Sequence, residues 1–149
     1  MEKKRINIAY FTADWNRELV SIALVTIKKY LEQHSDVYVQ VFDCFSYDLY
    51  SVEGEYRYQI YDLPDLRQND AVLVQSHENM DTDVLRKLER RISQAGIPAV
   101  SIGARMDGCI NIGTDDYAAA RDMTEHLVQE HGARTFLYLK GCEREDGTG

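Results

Sequence analysis

Ile6-Asn7-Ile8-Ala9-Tyr10-Phe11 is a short, nearly all-apolar run, the pattern of a strand buried on both faces of a parallel sheet. From Trp15 to Gln33 the period becomes helical. Leu19, Ile22, Ala23, Ile27, Tyr30 and Leu31 are spaced as one broad apolar face, and Val20 and Leu24 widen it beyond what one sheet needs. A second strand is expected over Val37 to Cys44, with Val37, Val39 and Val41 on one side and Tyr38 and Phe42 on the other.

The same alternation continues along the chain. Asp70 to Gln75 reads as a third strand. Asp81 is placed to cap a helix whose stripe is Val84, Leu85, Leu88, Ile92 and Ala95, and Gly96 stops it before Pro98. Pro98 to Ile102 and Cys109 to Ile112 follow as a fourth and a short fifth strand. Asp115 or Asp116 caps a final helix reaching His131 and ending at Gly132, and Arg134 to Leu139 reads as a last strand. Between Phe45 and Asn69 the pattern is weaker. Tyr56, Ile60 and Leu63 suit a short helix ended by Pro64, and the tyrosines from Tyr47 to Tyr61 read as amphipathic cover over the sheet.

Strands alternating with helices of this length predict an α/β fold: a three-layer sandwich, mainly parallel, of five to six strands with helices on both faces, as in a flavodoxin-like lobe. In such sheets ligands sit beyond the carboxyl ends of the strands. The loops to inspect are therefore Thr12 to Asn16, Ser76 to Met80 and Gly103 to Asp107.

Composition narrows the function. The 149 residues include 44% hydrophobic and 28% charged residues, which excludes wholesale disorder. A net charge of -8 makes the chain a poor candidate to hold nucleic acid by itself. Cys44, Cys109 and Cys142 lie far apart without CxxC spacing, against a disulfide framework or zinc site and in keeping with a reducing compartment. The apolar start is too short for a signal sequence, no run is long enough to span a bilayer, and a cytoplasmic location is expected.

No enzyme motif emerges. The turn after the first strand, Thr12-Ala13-Asp14-Trp15-Asn16, has no glycine, so a dinucleotide pyrophosphate could not approach its backbone. His77-Glu78 reads as solvated surface rather than an acid/base pair. A phosphoacceptor receiver fails because the first strand ends in Tyr10-Phe11 and the third in Gln75-Ser76, without the required acids. His126 and His131, five apart, do not share a helix face, so no metal site is expected there. The loop residues suit a small polyol or sugar instead. Asp14 and Asn16 offer acceptors and donors, and Trp15 either an aromatic face for a sugar ring or a plug beneath the loop. Arg105 is either a fork for hydroxyls or a carboxylate, or a surface ion pair.

Ile97-Pro98-Ala99-Val100-Ser101-Ile102-Gly103 followed by Ile110-Asn111-Ile112-Gly113-Thr114-Asp115-Asp116 resembles the core of the lactose/galactose-repressor (LacI/GalR) and type I periplasmic-binding-protein family. The likeness extends through Tyr117-Ala118-Ala119, Glu125-His126-Leu127, His131-Gly132 and Thr135 to Gly141, and Asn69 to Val74 sits at another of the family's strands. Asp116 stands where the family usually has Asn. The resemblance implies residues 1–113 as the N-terminal lobe of an effector-binding core and 114–149 as the crossover helix and first strand of a second lobe, not completed here. It further implies a ligand-sensing, non-enzymatic domain of a transcriptional regulator or signalling protein, with no cofactor and no membrane contact. Its effector would be sugar or nucleoside-like, it would pair as a homodimer, and it would reach DNA only through a headpiece not in this chain. By position it points to Asp14, Trp15, Asn16, Ser76 and Arg105 as ligand contacts. A structural or dimerising module without a ligand, and a small flavodoxin-like enzyme, are the competing readings. The open sheet edge predicts that Thr135 to Lys140 pairs onto it, and Val20 with Leu24 predicts a dimer surface.

Overall fold

The computed structural model describes residues 5–14, 17–44, 52–76 and 82–139. The chain divides into two compact units, Met1–Gly113 and Thr114–Gly149. The first unit is built on β1 (Ile6–Ala13), α1 (Glu18–Leu31), β2 (Val37–Cys44), β3 (Ala71–Gln75), α2 (Thr82–Ala95), β4 (Ala99–Ile102) and β5 (Ile110–Ile112). Two 3-10 segments, Val52–Asp62 and Leu66–Gln68, lie between β2 and β3. The five strands form one all-parallel sheet in the order β2-β1-β3-β4-β5. This is the α/β architecture of a periplasmic-binding-protein-like lobe.

The order fixes where the helices go. From β1 the chain moves one way along the sheet to β2, and from β3 it moves the other way to β4. Right-handed crossovers therefore put α1 and α2 on opposite faces. On the α2 face Ala9, Phe11 and Ala13 of β1 pack with Cys44, Val72, Val74 and Ala99, closed by Leu88 and Ile92 of α2. Phe11 stacks on Phe42 and meets the ring of Tyr61 edge-on, both at 5.3 Å between centroids.

The tyrosine-rich cover is only partly on the surface. Tyr58 and Tyr61 are buried in the core while Tyr56 is exposed, and Tyr47 and Tyr50 lie outside the described residues. Arg91 of α2 holds this segment in place: its guanidinium donates to the carbonyls of Tyr61 and Pro64. Lys87 and Arg91 both pair with Asp62. Arg91 thus satisfies carbonyls at the end of a segment with no regular α-helical ladder, while Lys87 pairs with the Asp62 carboxylate beside them.

Two expectations need correction. The inward stripe of α1 is Val20, Ala23, Leu24, Ile27 and Leu31, of which Val20 is the most buried, whereas Leu19, Ile22 and Tyr30 are exposed. The helix is apolar nearly all round, so its periodicity allows more than one face and the packing selects one. Val20 with Leu24 is therefore not an exposed dimer surface. The second correction concerns Thr135 to Leu139, which forms no strand; Phe136, Leu137, Tyr138 and Leu139 are exposed. The sheet ends in the three-residue β5, with all three residues exposed. So short a ladder returns few hydrogen bonds against an ordering cost of roughly 1–2 kcal/mol per residue. Lys140 lies outside the described residues, as does the expected cap Asp81.

In the second unit α3 spans Asp116–Gln129. Asp115 caps it by accepting from the Ala118 N–H at 2.9 Å. At its other end Gly132, with φ +63°, lets its N–H reach the Val128 carbonyl and that of Ala133 reach Leu127, both at 3.1 Å.

The packing of α1 and α2 gives a direct check. Leu88→Ala, at a site 2% exposed, lowers unfolding stability by about 2–5 kcal/mol. Leu19→Ala, at a site 74% exposed, changes it by less than about 0.5 kcal/mol at concentrations where the chain is monomeric. Urea midpoints measure both, and a large loss at Leu19 would restore the helix face read from sequence.

Candidate functional site

Because every strand is parallel, the exits of β1, β3 and β4 leave from one edge of the sheet. β1 and β3 are neighbours whose chains depart in opposite directions along the sheet, the switch in strand order beside which parallel α/β sheets place their ligands. β1 runs to Ala13, so Thr12 belongs to the strand and is fully buried, and the exit proper starts at Asp14.

Asp14 has φ 58°, in the left-handed region that Asp tolerates better than most residues. Its N–H donates to the Cys44 carbonyl at 3.0 Å, and its carbonyl accepts from the Arg17 N–H at 2.8 Å. The turn so formed directs a nearly buried carboxylate onto Arg17, whose Nε donates to it at 3.2 Å. Sequence reading selected Asp14 and passed over Arg17; the i,i+3 spacing was the available signal. Trp15 and Asn16, the other candidates of this loop, lie outside the described residues, as do residues 77–80.

Beneath this edge runs a polar row that sequence reading also missed. Thr12 of β1 pairs in register with Asp43 of β2, and Gln75 of β3 lies at the same level on the other side. One step below, the Tyr10 hydroxyl donates to the Gln75 side-chain oxygen. Burial pushes the Tyr10 phenol above its ordinary value, and the Asp43 charge acts in the same direction. Tyr61 is pushed up more strongly, again mainly by burial. It stays a neutral donor, giving its hydrogen to the Thr12 carbonyl at 2.7 Å. Tyr10, Asp43 and Gln75 sat inside runs read as strand, where alternation alone does not reveal a polar level, and Thr12 was read as loop.

The exits of β3 and β4 are tied together. The Ser76 Oγ accepts from the Ala104 N–H at 2.7 Å, and the Ser101 Oγ donates to the Ala104 carbonyl at 2.7 Å. Gly103 sits between them with φ +95°, and a Cβ there would lie 2.4 Å from the Ser76 carbonyl oxygen. The far side of the loop is held by Asn111, which accepts from the Met106 N–H at 2.8 Å and donates to the Met106 and Cys109 carbonyls. Met106 is buried. Ser76 is thus nearly buried and committed to loop geometry. Arg105 projects from this clasped loop, exposed and without an ion pair among the described residues. Asp14, Ser76 and Arg105 are brought to one edge, in different roles. Cavities formed by the described residues lie elsewhere, among them one of about 270 Å³ between Tyr58, Tyr61 and α2 and one of about 870 Å³ along the outer edge of β2. Among the described residues no helix is long and apolar enough to cross a membrane.

No family model matches this chain, and no curated protein matches it. Among solved structures it is similar to an ABC sugar transporter subunit from Rhodobacter sphaeroides, with 16% identity and a TM-score of 0.63 over 85% of this chain and 42% of that one. It is also similar to an ABC transporter solute-binding protein from Bacillus halodurans with bound myo-inositol, with 16% identity and a TM-score of 0.48 over 70% of this chain and 33% of that one. The chain spans less than half the length of either.

The clasp between the β3 and β4 exits predicts that Gly103→Ala destabilises the fold by about 1–3 kcal/mol through strain and the clash with Ser76. Ser76→Ala leaves the Ala104 N–H without its acceptor and costs about 1–3 kcal/mol. Thermal unfolding reads both, and a neutral Gly103→Ala would place this loop differently.

Proposed function

We propose that this chain is the first lobe, with the opening of the second, of a ligand-sensing domain of the lactose/galactose-repressor type. It binds a small polar effector of the sugar, polyol or nucleoside class at the carboxyl edge of its sheet. The observation that carries the reading is the pairing of two unlike groups on that edge: the nearly buried, Arg17-paired carboxylate of Asp14 and the exposed guanidinium of Arg105 on a cross-linked loop. A carboxylate held in place accepts from ligand hydroxyls without reorganisation, and a guanidinium fork donates two parallel bonds to vicinal oxygens. The fold shared with a protein described as an ABC sugar transporter subunit supports a ligand-binding rather than catalytic role. Asp14, already paired with Arg17, reads as a binding rather than proton-transferring group. We place the whole protein among cytoplasmic transcriptional regulators or signalling proteins, with DNA contacts left to a separate headpiece.

A thermal-shift screen with monosaccharides, polyols and nucleosides tests this reading. A bound effector at a hundred times its Kd adds about 2.7 kcal/mol of stability. Arg105→Ala is expected to weaken that binding about tenfold or more while leaving the ligand-free Tm unchanged, as its side chain supports nothing else. A panel without any stabilising member, or full binding by the Arg105 variant, would contradict it.

We also propose that two copies pair through the outward side of α1, where Leu19, Ile22 and Val25 are all more than half exposed. Sedimentation should show a dimer that Ile22→Glu converts to monomer. A wild-type monomer at high concentration would rule this out.

A further inference from the structure

The histidines of the second unit occupy a geometry that helical spacing does not suggest. His126 lies in the last turn of α3, and His131 follows its end, where Gly132 turns the chain. The two Nε2 atoms come within 3.2 Å, with the rings nearly perpendicular at 76° and their centroids 5.0 Å apart. Both side chains are exposed. Among the described residues no third His, Cys, Asp or Glu completes a cluster around them.

From this separation we infer that His126 and His131 form a two-imidazole site for a borderline divalent metal, with Zn2+ the best fit, in which water completes the coordination. Two nitrogens each about 2.0–2.1 Å from one ion in tetrahedral geometry lie about 3.3 Å apart, whereas adjacent corners of a square plane bring them to about 2.8–2.9 Å. The observed spacing is nearer the tetrahedral value. In the metal-free protein a proton bridges the two rings. The ion replaces that proton, and rotation of two exposed rings suffices to aim both lone pairs at it. The last carbonyls of α3 and the net charge of -8 both favour a cation at this end. With two protein ligands and open positions the site is exchangeable, suited to sensing or to bridging a further ligand rather than to holding the fold together.

Side-chain nitrogen resonances of the histidines, followed by NMR during titration of the whole chain with ZnCl2, test the site. The signals of His126 and His131 should move together, before those of His34. His126→Gln and His131→Gln should each weaken Zn2+ binding about tenfold or more, since either loses the chelate. Metal-free circular dichroism should not change, because both side chains are exposed. Zn2+ shifts confined to other residues, or wild-type binding by both variants, would overturn the assignment.

Discussion

The whole arrangement depends on one topological constraint: β1 lies between β2 and β3, all parallel, and the chain leaves β1 and β3 in opposite directions. Right-handed connections turn that into helices on opposite faces. The backbone groups at the two strand ends are then not covered by a shared helix. Asp14 and Ser76 lie at this edge because of that divergence, and local turns then fix them there. On the α2 face, by contrast, Leu88, Ile92 and the tyrosines of the 3-10 segment pack over the strands.

What makes the edge suitable for recognition is the stiffness of its supports. Asp14 is held by its own turn, by the Cys44 carbonyl and by Arg17. The Arg105 loop is fixed by Ser76, Ser101 and Asn111, with Met106 sunk into the core behind it. Among the described residues, Ser76, Ser101 and Asn111 hold backbone, whereas the Arg105 side chain is exposed. Binding to preorganised groups avoids the cost of ordering them on contact.

The fold was largely legible in the sequence because buried parallel strands leave a plain trace: Ile6 to Phe11 and Ala71 to Val74 are short apolar runs bounded by polar residues. Less legible was anything decided by competition between equivalent choices. In α1, Leu19, Val20, Ile22, Ala23, Leu24, Val25 and Ile27 offer several apolar faces, and only packing distinguishes them. Arg134 to Leu139 has strand composition, yet a strand also needs a partner edge, and composition carries no information about one. Ser76 and Arg105 looked alike as loop polar residues; the difference between clasp and free fork lies in the backbone path around Gly103. The histidine pair was missed because a helical wheel assumes that the helix continues, and Gly132 ends it.

Hydrogen exchange of the backbone amides, with and without a stabilising effector from the sugar, polyol or nucleoside panel, tests the central claim most directly. The account predicts added protection at Asp14, Arg17, Ala104 and Arg105, with none at Asn7, Gln68 and Asp70, which cluster around the opposite ends of the strands. Protection confined to the groove along β2, or to the Tyr58–Arg91 cavity, would contradict it.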